Sequence, residues 1–182
     1  AFWITGISNA VNFLDIEDGL AGGTAAGICP GLFAVALFNG RLDLAVFVAG
    51  LFGAVLGFLH YNAPVPKARI YLGDAGSLLL GVMLSALAMM GSYTQKNDLA
   101  MLCPVIILGV PCFEMAVTMT ARALKGIPVW QGSPDHIAKR LQRAGWPKER
   151  TALAHALASL ALGGAAVYIM NADFRGALAA IS

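Results

Sequence analysis

The sequence predicts an all-α fold, a polytopic bundle of transmembrane helices with five full spans and the end of a sixth. Of its 182 residues, 58% are hydrophobic and only 12% are charged, and the mean hydropathy is +0.73. Soluble domains carry about 25% charged residues, so this composition is typical of a chain surrounded by lipid. Candidate spans, each near the roughly 20 apolar residues that cross a bilayer, are residues 20–38, 44–59, 75–93, 99–121 and 151–170.

The basic residues predict which connections face the cytosol, because cytosolic loops of membrane proteins are enriched in Lys and Arg. One set of connections contains nine of them and the opposite set contains three. We therefore expect the loops at about 61–74 and 122–150, and the junction near residues 15–23, on the cytosolic side. Residues 1–14 resemble the last turns of a further span, so we interpret 1–182 as one membrane-embedded domain truncated at its N-terminus.

Composition excludes or disfavours several other classes. A formal net charge of +2 gives no support to nucleic-acid binding. The three cysteines lie in apolar runs without a CxxC pair, which favours packing roles. Glycines in the runs 22–27 and 163–164 favour close contact between helices.

Amide and carboxylate side chains recur every third residue where the first partial helix reaches the cytosolic edge: Asn9, Asn12, Asp15 and Asp18. On a regular helix such a series drifts around the axis. Either the helix tightens, or it ends near Asp15 and Gly19 allows the chain to turn. Both alternatives direct these oxygens into a shared cleft, whereas the simpler interpretation is an acidic helix end in headgroup water.

A second polar group precedes the span that begins near residue 75. Asp74 is expected at the N-cap of that helix, and Gly73 permits an unusual backbone angle. This is either an ordinary cap or a site where helix N–H groups bind phosphate and Asp74 holds a divalent ion. The topology places Asp74 at the same membrane edge as Asp15 and Asp18, which favours function.

A third group lies in the loop 132–146, which contains His136, Lys139 and Arg140. Its basic side chains either neutralise phosphates or contact lipid headgroups as part of the positive-inside pattern.

Together these segments resemble the polyprenyl-phosphate N-acetylhexosamine-1-phosphate transferases. Residues 9–23 (NAVNFLDIEDGLAGG) are similar to the family pattern NxxNxxDGxDGLxxG. Residues 57–62 (GFLHYN) and 68–77 (ARIYLGDAGS) resemble GFLxxN followed by PAKxFMGDxGS. Residues 110–114 (VPCFE) with Arg122, and 133–136 (SPDH) with Arg140, resemble PxxDxxxxxxxR and PDxxHxHHRLxxxG. The chain departs from these patterns at Ile16, at Glu114 and in a histidine cluster reduced to His136.

The resemblance implies transfer of a sugar 1-phosphate, expected to be an N-acetylhexosamine, from a UDP-sugar to polyprenyl (undecaprenyl) phosphate with release of UMP. It implies Mg²⁺, with Mn²⁺ as an alternative, held by Asn12 and Asp74. Catalytic roles are expected for Asp15, Asp18, Asp74 and His136. Substrate contacts are expected from Asn9, Asn62, Arg69, Lys139 and Arg140.

In detail, the resemblance implies that Asp18 contacts uridine, Asp15 supports the metal or orients a reacting group, and Asn62 and Arg69 line the nucleotide pocket. His136, Lys139 and Arg140 would face the diphosphate or sugar.

The expected location is the bacterial cytoplasmic membrane, with the active site on the cytosolic face, and a homodimer is allowed. The fragment alone is expected to be inactive. A cation transporter, which needs carboxylates deep in the bilayer, and a catalytically inactive relative are the alternatives.

Overall fold

The computed structural model describes residues 1–63, 67–95, 97–128 and 135–172. Within these ranges the regular elements are helices, as the sequence predicts. Lys96 and Arg175, two of the three basic residues in the opposite set of connections, lie outside the described residues, and so do residues 133–134 of the SPDH segment. The α-helices are α1 (Phe2–Asn12), α2 (Leu20–Phe38), α3 (Leu42–Asn62), α4 (Gly73–Met89), α5 (Cys103–Ile107), α6 (Gly109–Leu124), α7 (Ile137–Arg143) and α8 (Lys148–Asn171).

Three of these helices, α2, α3 and α8, are long and apolar enough to cross a membrane. The span expected at 75–93 is the shorter α4, which has 17 residues. The span expected at 99–121 is instead a bent pair: a 3₁₀ helix (Asp98–Leu102) leads into α5, and this segment meets α6 at 71°. Pro111 explains the break, because it has no N–H for the carbonyl of Ile107 and its ring clashes there.

The polar junction between α1 and α2 combines the two alternatives that the sequence left open. α1 ends at Asn12, and the next residues form tight turns in which the Asp15 amide donates to the Asn12 carbonyl at 3.1 Å. Gly19 then adopts a left-handed conformation, with φ of 75°, and starts α2. This conformation strains other L-residues, so Gly19 sets the direction of the chain after the acidic turn.

The start of α4 differs from the N-cap prediction for Asp74. Helix α4 begins at Gly73 itself, whose φ is 67°, and Asp74 lies in the first turn. The positive φ of Gly73 confirms the need for glycine at this position. An acidic side chain in the first turn interacts favourably with the helix dipole, and here it stays exposed and available.

The centre of the bundle is α2, which packs against α3 and α8. Gly31 lies so close to α8 that a Cβ added at Gly31 would stand 2.7 Å from the Cα of Gly163. On the neighbouring pair, α1 packs against α4, and the Ser8 hydroxyl donates to the Leu78 carbonyl at 2.8 Å. Small residues therefore bring these helices together, as the glycine runs predict for α2 and α8.

Candidate active site

The first two predicted motifs meet at one end of the bundle. The side-chain amide of Asn12, at the end of α1, donates to Asp74 Oδ1 at 3.1 Å and to Ser77 Oγ at 2.9 Å. Ser77 is buried and its hydroxyl donates to the Gly73 carbonyl at 3.1 Å. Asn12 and Asp74 are 62 positions apart in the sequence, and the fold brings their side chains into direct contact. The asparagine–aspartate stretch and the second motif therefore lie in contact at one end of the bundle.

Beside this contact is a polar cavity of about 380 Å³. Its lining combines the acidic turn, the start of α4 and two lysines: Asp15, Ile16, Glu17, Asp18, Asn62, Tyr71, Leu72, Gly73, Lys139 and Lys148. Burial raises the pKa of Asp15, a hydrogen bond from the Gly73 backbone opposes the shift, and the charges of Asp74 and Asp18 add to it. The Asp15 carboxyl thus lies near those of Asp74 and Asp18, an arrangement that favours a cation nearby.

Asn62, the last residue of α3, is a buried clamp between two loops. Its Oδ1 accepts from the Gly19 N–H at 2.9 Å, and its Nδ2 donates to the Ile70 carbonyl at 2.8 Å. The side chain is 5% exposed. Both the oxygen and the nitrogen of its side-chain amide bond to backbone groups. Asn62 therefore shapes the cavity mainly by fixing the acidic turn and the loop before α4.

Glu17 connects the acidic turn to α7 and α8. Its carboxylate bonds with Lys139 and, through Oε2, with the Lys148 ammonium at 2.8 Å. Burial alone would raise the pKa of Glu17, but the hydrogen bonds from Lys139 and Lys148 outweigh it and lower this pKa. The cavity lining thus combines the carboxylates of the acidic turn with two lysines, Lys139 and Lys148, that are both paired with Glu17.

The family model described as glycosyl transferase family 4 matches residues 1–92, which include all of the Asn12–Asp74 contact and its helices α1 to α4. The chain belongs to glycosyl transferase family 4.

Curated relatives of the family resemble a larger share of the chain. A probable undecaprenyl-phosphate N-acetylglucosaminyl 1-phosphate transferase of Bacillus subtilis (strain 168) is 36% identical over 143 residues, or 79% of this chain and 39% of the relative. A phospho-N-acetylmuramoyl-pentapeptide-transferase of Geobacillus thermodenitrificans (strain NG80-2) is 39% identical over 153 residues, which are 82% of this chain and 44% of the relative. The phospho-N-acetylmuramoyl-pentapeptide-transferase of Bacillus subtilis (strain 168) is 37% identical over 172 residues, which are 92% of this chain and 49% of the relative. The chain spans less than half the length of these relatives.

Glu114, where the family pattern has Asp, organises a second, buried cluster. The carboxylate is 1% exposed, its Oε1 accepts from the Ile137 N–H at 2.8 Å, and His136 Nδ1 lies 3.2 Å from it. His155 of α8 places its Nε2 3.9 Å from Oε2. Because Ile137 starts α7, Glu114 belongs to the same end of the bundle as the third motif.

His136 approaches the first motif through an aromatic side chain. The ring of Phe13, next to Asn12, meets the His136 ring edge-on at 5.7 Å between centroids. The Arg122 guanidinium lies 5.1 Å from the centre of the same Phe13 ring. The segments that contain Arg122 and His136 are thus packed against the first motif through Phe13, although His136 is not among the residues that line the polar cavity.

Three predicted substrate contacts lie elsewhere in the structure. The Asn9 amide donates to the Thr5 carbonyl of its own helix at 2.8 Å, and Arg69 is exposed on the loop before α4. Arg140 Nε donates to the Asp135 carbonyl at 2.9 Å. These side chains are not among the described residues that line the cavity, so their assignments as substrate contacts stay predictions.

Sequence reasoning gave no role to Glu17, Lys148 or His155. Glu17 and Lys139 are 122 residues apart, so no local spacing connects them. The available signal was Glu17 itself, a third carboxylate in the acidic turn, which needs a compensating cation once it is buried.

Proposed function

We propose that the full-length protein transfers a sugar 1-phosphate, of the N-acetylhexosamine class, from a UDP-sugar to polyprenyl (undecaprenyl) phosphate and releases UMP. Family membership and the names of the relatives support this reaction type, with the two kinds of relative differing in the sugar. The contact between Asn12 and Asp74 at 3.1 Å is the observation that carries the proposal.

The residues at this contact suit a divalent cation of the Mg²⁺ or Mn²⁺ type. Asp74 is an exposed carboxylate, and the side-chain amide of Asn12 in contact with it also carries an oxygen; carboxylate and amide oxygens are ligands that hard cations prefer. Among the described residues, no group of three Asp, Glu, His or Cys side chains is arranged to hold an ion. A Mg²⁺ site does not need such a group, because one or two protein carboxylates can act together with substrate phosphates and water. When bound, the ion would offset the charge of the two phosphate groups.

In the proposed reaction an oxygen of the lipid phosphate forms a bond to the β-phosphorus of the UDP-sugar. The bond from this phosphorus to the oxygen that bridges to the α-phosphate breaks, and UMP leaves with that oxygen and its electron pair. Asp18 at the cavity wall binds uridine, and Asp15 orients the groups near Asp74. The remaining demand is positioning, because phosphoryl transfer needs the two oxygens in line and their charge compensated.

An apolar cavity of about 340 Å³ supports the lipid part of the proposal. It lies between α6, α7 and α8 and is lined mainly by hydrophobic side chains: Val110, Phe113, Ile137, Leu141, Trp146, Ala154, Ala158 and Leu162. Glu114 and His155 add polar atoms to this lining. A cavity of this composition accommodates a segment of isoprenoid chain near its phosphate end.

The test is UMP release by detergent-solubilised full-length protein given UDP-N-acetylglucosamine, undecaprenyl phosphate and Mg²⁺. Asp74→Asn should lower the turnover number to background while the protein stays folded in membranes. Asp43→Asn is the control, because Asp43 bonds with Arg41 at 2.7 Å on α3, at the opposite end of that helix from Asn62. Near-normal UMP release by Asp74→Asn would show that the metal assignment is wrong.

Asp18→Ala tests the nucleotide contact separately. It should raise the KM for the UDP-sugar more than it lowers the turnover number, because the uridine does not react. An unchanged KM would exclude the role of Asp18 in uridine binding.

A further inference from the structure

We propose that Glu17 is a positioning residue: it holds Lys139 and Lys148 at the wall of the polar cavity so that their ammonium groups bind the diphosphate of the nucleotide substrate. The inference rests on the proposed function and extends it to two lysines and one carboxylate. Its basis is the ion-paired cluster of these three side chains, which brings together the α1–α2 turn, α7 and α8.

The exposure of the three side chains suits this division of roles. The Glu17 side chain is 7% exposed, whereas those of Lys139 and Lys148 are 37% and 52% exposed. An ammonium group has three donors, so a lysine that gives one to Glu17 keeps two for a ligand. The Glu17 carboxylate thus restrains both lysines, and all three side chains line the cavity.

Anchoring matters because a free lysine side chain loses conformational entropy when it is fixed. A carboxylate that already restrains both ammonium groups removes part of this loss from substrate binding. Unlike arginine, lysine acts as a point charge without a preferred bonding plane, so its position depends strongly on such a partner.

The charge distribution gives a second reason. Asp15, near Asp74, makes one side of the cavity acidic, which would repel a diphosphate without a cation. At the other side, two ammonium groups share the Glu17 carboxylate, and the charges of Asp18 and Glu149 also act on Lys148. The cavity thus has cationic groups for phosphate oxygens beside the carboxylates that favour a cation. The lowered pKa of Glu17 keeps this carboxylate charged at neutral pH.

An opposite role for Glu17 is competition, in which the carboxylate occupies the place of the substrate phosphate. The two roles predict opposite signs for the KM of the UDP-sugar when the charge is removed. Positioning predicts a higher KM for Glu17→Gln, and competition predicts a lower one.

The experiment measures UMP release by the full-length protein with UDP-N-acetylglucosamine or UDP-N-acetylmuramoyl-pentapeptide, undecaprenyl phosphate and Mg²⁺. Glu17→Gln should raise the KM for the UDP-sugar about tenfold, the size of one weakened charge-assisted contact, with kcat changed less than about threefold. Glu17→Asp should recover part of the loss. Asp43→Asn is again the matched control, since it removes one carboxylate of an ion pair away from the cavity.

A double-mutant cycle separates positioning from general loss of structure. In protein with both Lys139→Met and Lys148→Met, the further change Glu17→Gln should leave KM unchanged, because its partners are gone. If Glu17→Gln fails to fold, Lys148→Met alone is decisive: its KM should rise several-fold, and an unchanged KM overturns the inference.

The outcomes also distinguish the inference from the proposed function. Wild-type protein that releases no UMP with either UDP-sugar overturns both. Active wild type, with an unchanged or lower KM in Glu17→Gln, overturns the positioning role of Glu17 and leaves the transferase function standing.

Discussion

The buried amide of Asn62 provides a test of how the cavity is held in shape. Replacing it by alanine removes the acceptor for the Gly19 N–H and the donor to the Ile70 carbonyl, at 2.9 and 2.8 Å. These two bonds connect the end of α3 to the acidic turn and to the loop before α4. We expect Asn62→Ala to loosen the turn that carries Asp15 and Asp18 while the bundle stays assembled.

The two lost bonds differ in cost. Ile70 is 40% exposed, so water can replace the donor to its carbonyl. The bond at Gly19 is buried, and an unsatisfied buried N–H costs about 1 to 3 kcal/mol. This free energy corresponds to about 5- to 150-fold faster exchange of the Gly19 amide by local opening. The displaced carboxylates should also lower kcat by about tenfold or more, because transfer depends on positioning.

The assay is hydrogen–deuterium exchange of peptides that cover residues 13–20 in the full-length protein, together with kcat for UMP release. Asn9→Ala is the matched control for exchange, because the Asn9 amide donates to Thr5 of its own helix. Unchanged protection of the 13–20 peptide in Asn62→Ala, or an equal effect of Asn9→Ala, would refute the clamp.

Two further predictions concern stability. Gly31→Ala should lower the melting temperature in detergent, because its Cβ would stand 2.7 Å from the Gly163 Cα and such overpacking costs about 1–3 kcal/mol; Gly53→Ala, with no neighbour within 4 Å, should not lower it. Asp15→Asn should raise the melting temperature at pH 7. Burial raises the pKa of the Asp15 carboxyl above its ordinary value of 3.8. Ionisation of Asp15 therefore costs the native state stability as the pH rises above about 4, and the gain from Asp15→Asn should disappear in more acidic solution.

Much of the fold and part of the site followed from the sequence. Apolar length predicted the helices, and the positions of basic residues predicted which loops share an end of the bundle, so Asn12 and Asp74 were expected to meet. The bend at Leu108–Gly109 was missed because the whole stretch is apolar and length alone does not reveal a break. Pro111 was its signal, through the hydrogen bond that it cannot make.

The partners of individual polar side chains could not be predicted, because they depend on tertiary packing. Asn62 matched a family motif and was assigned to the nucleotide pocket, yet its amide is bonded to Gly19 and Ile70. Lys148 looked like one more basic residue of a cytosolic loop. Only the fold brings it to within 2.8 Å of a Glu17 oxygen.

The two sides of the cavity depend on two different helix pairs. The acidic side is carried by α1 and α4, which are joined by the Ser8–Leu78 hydrogen bond, and its turn continues into α2. The basic side includes the start of α8, which packs along α2 through Gly31 and Gly163. The Gly19 junction connects the pairs: Asn62 accepts from the Gly19 N–H, and Glu17, in the turn before Gly19, pairs with Lys148 of α8. Backbone packing in the apolar core therefore contributes to the distance between the carboxylates and the lysines.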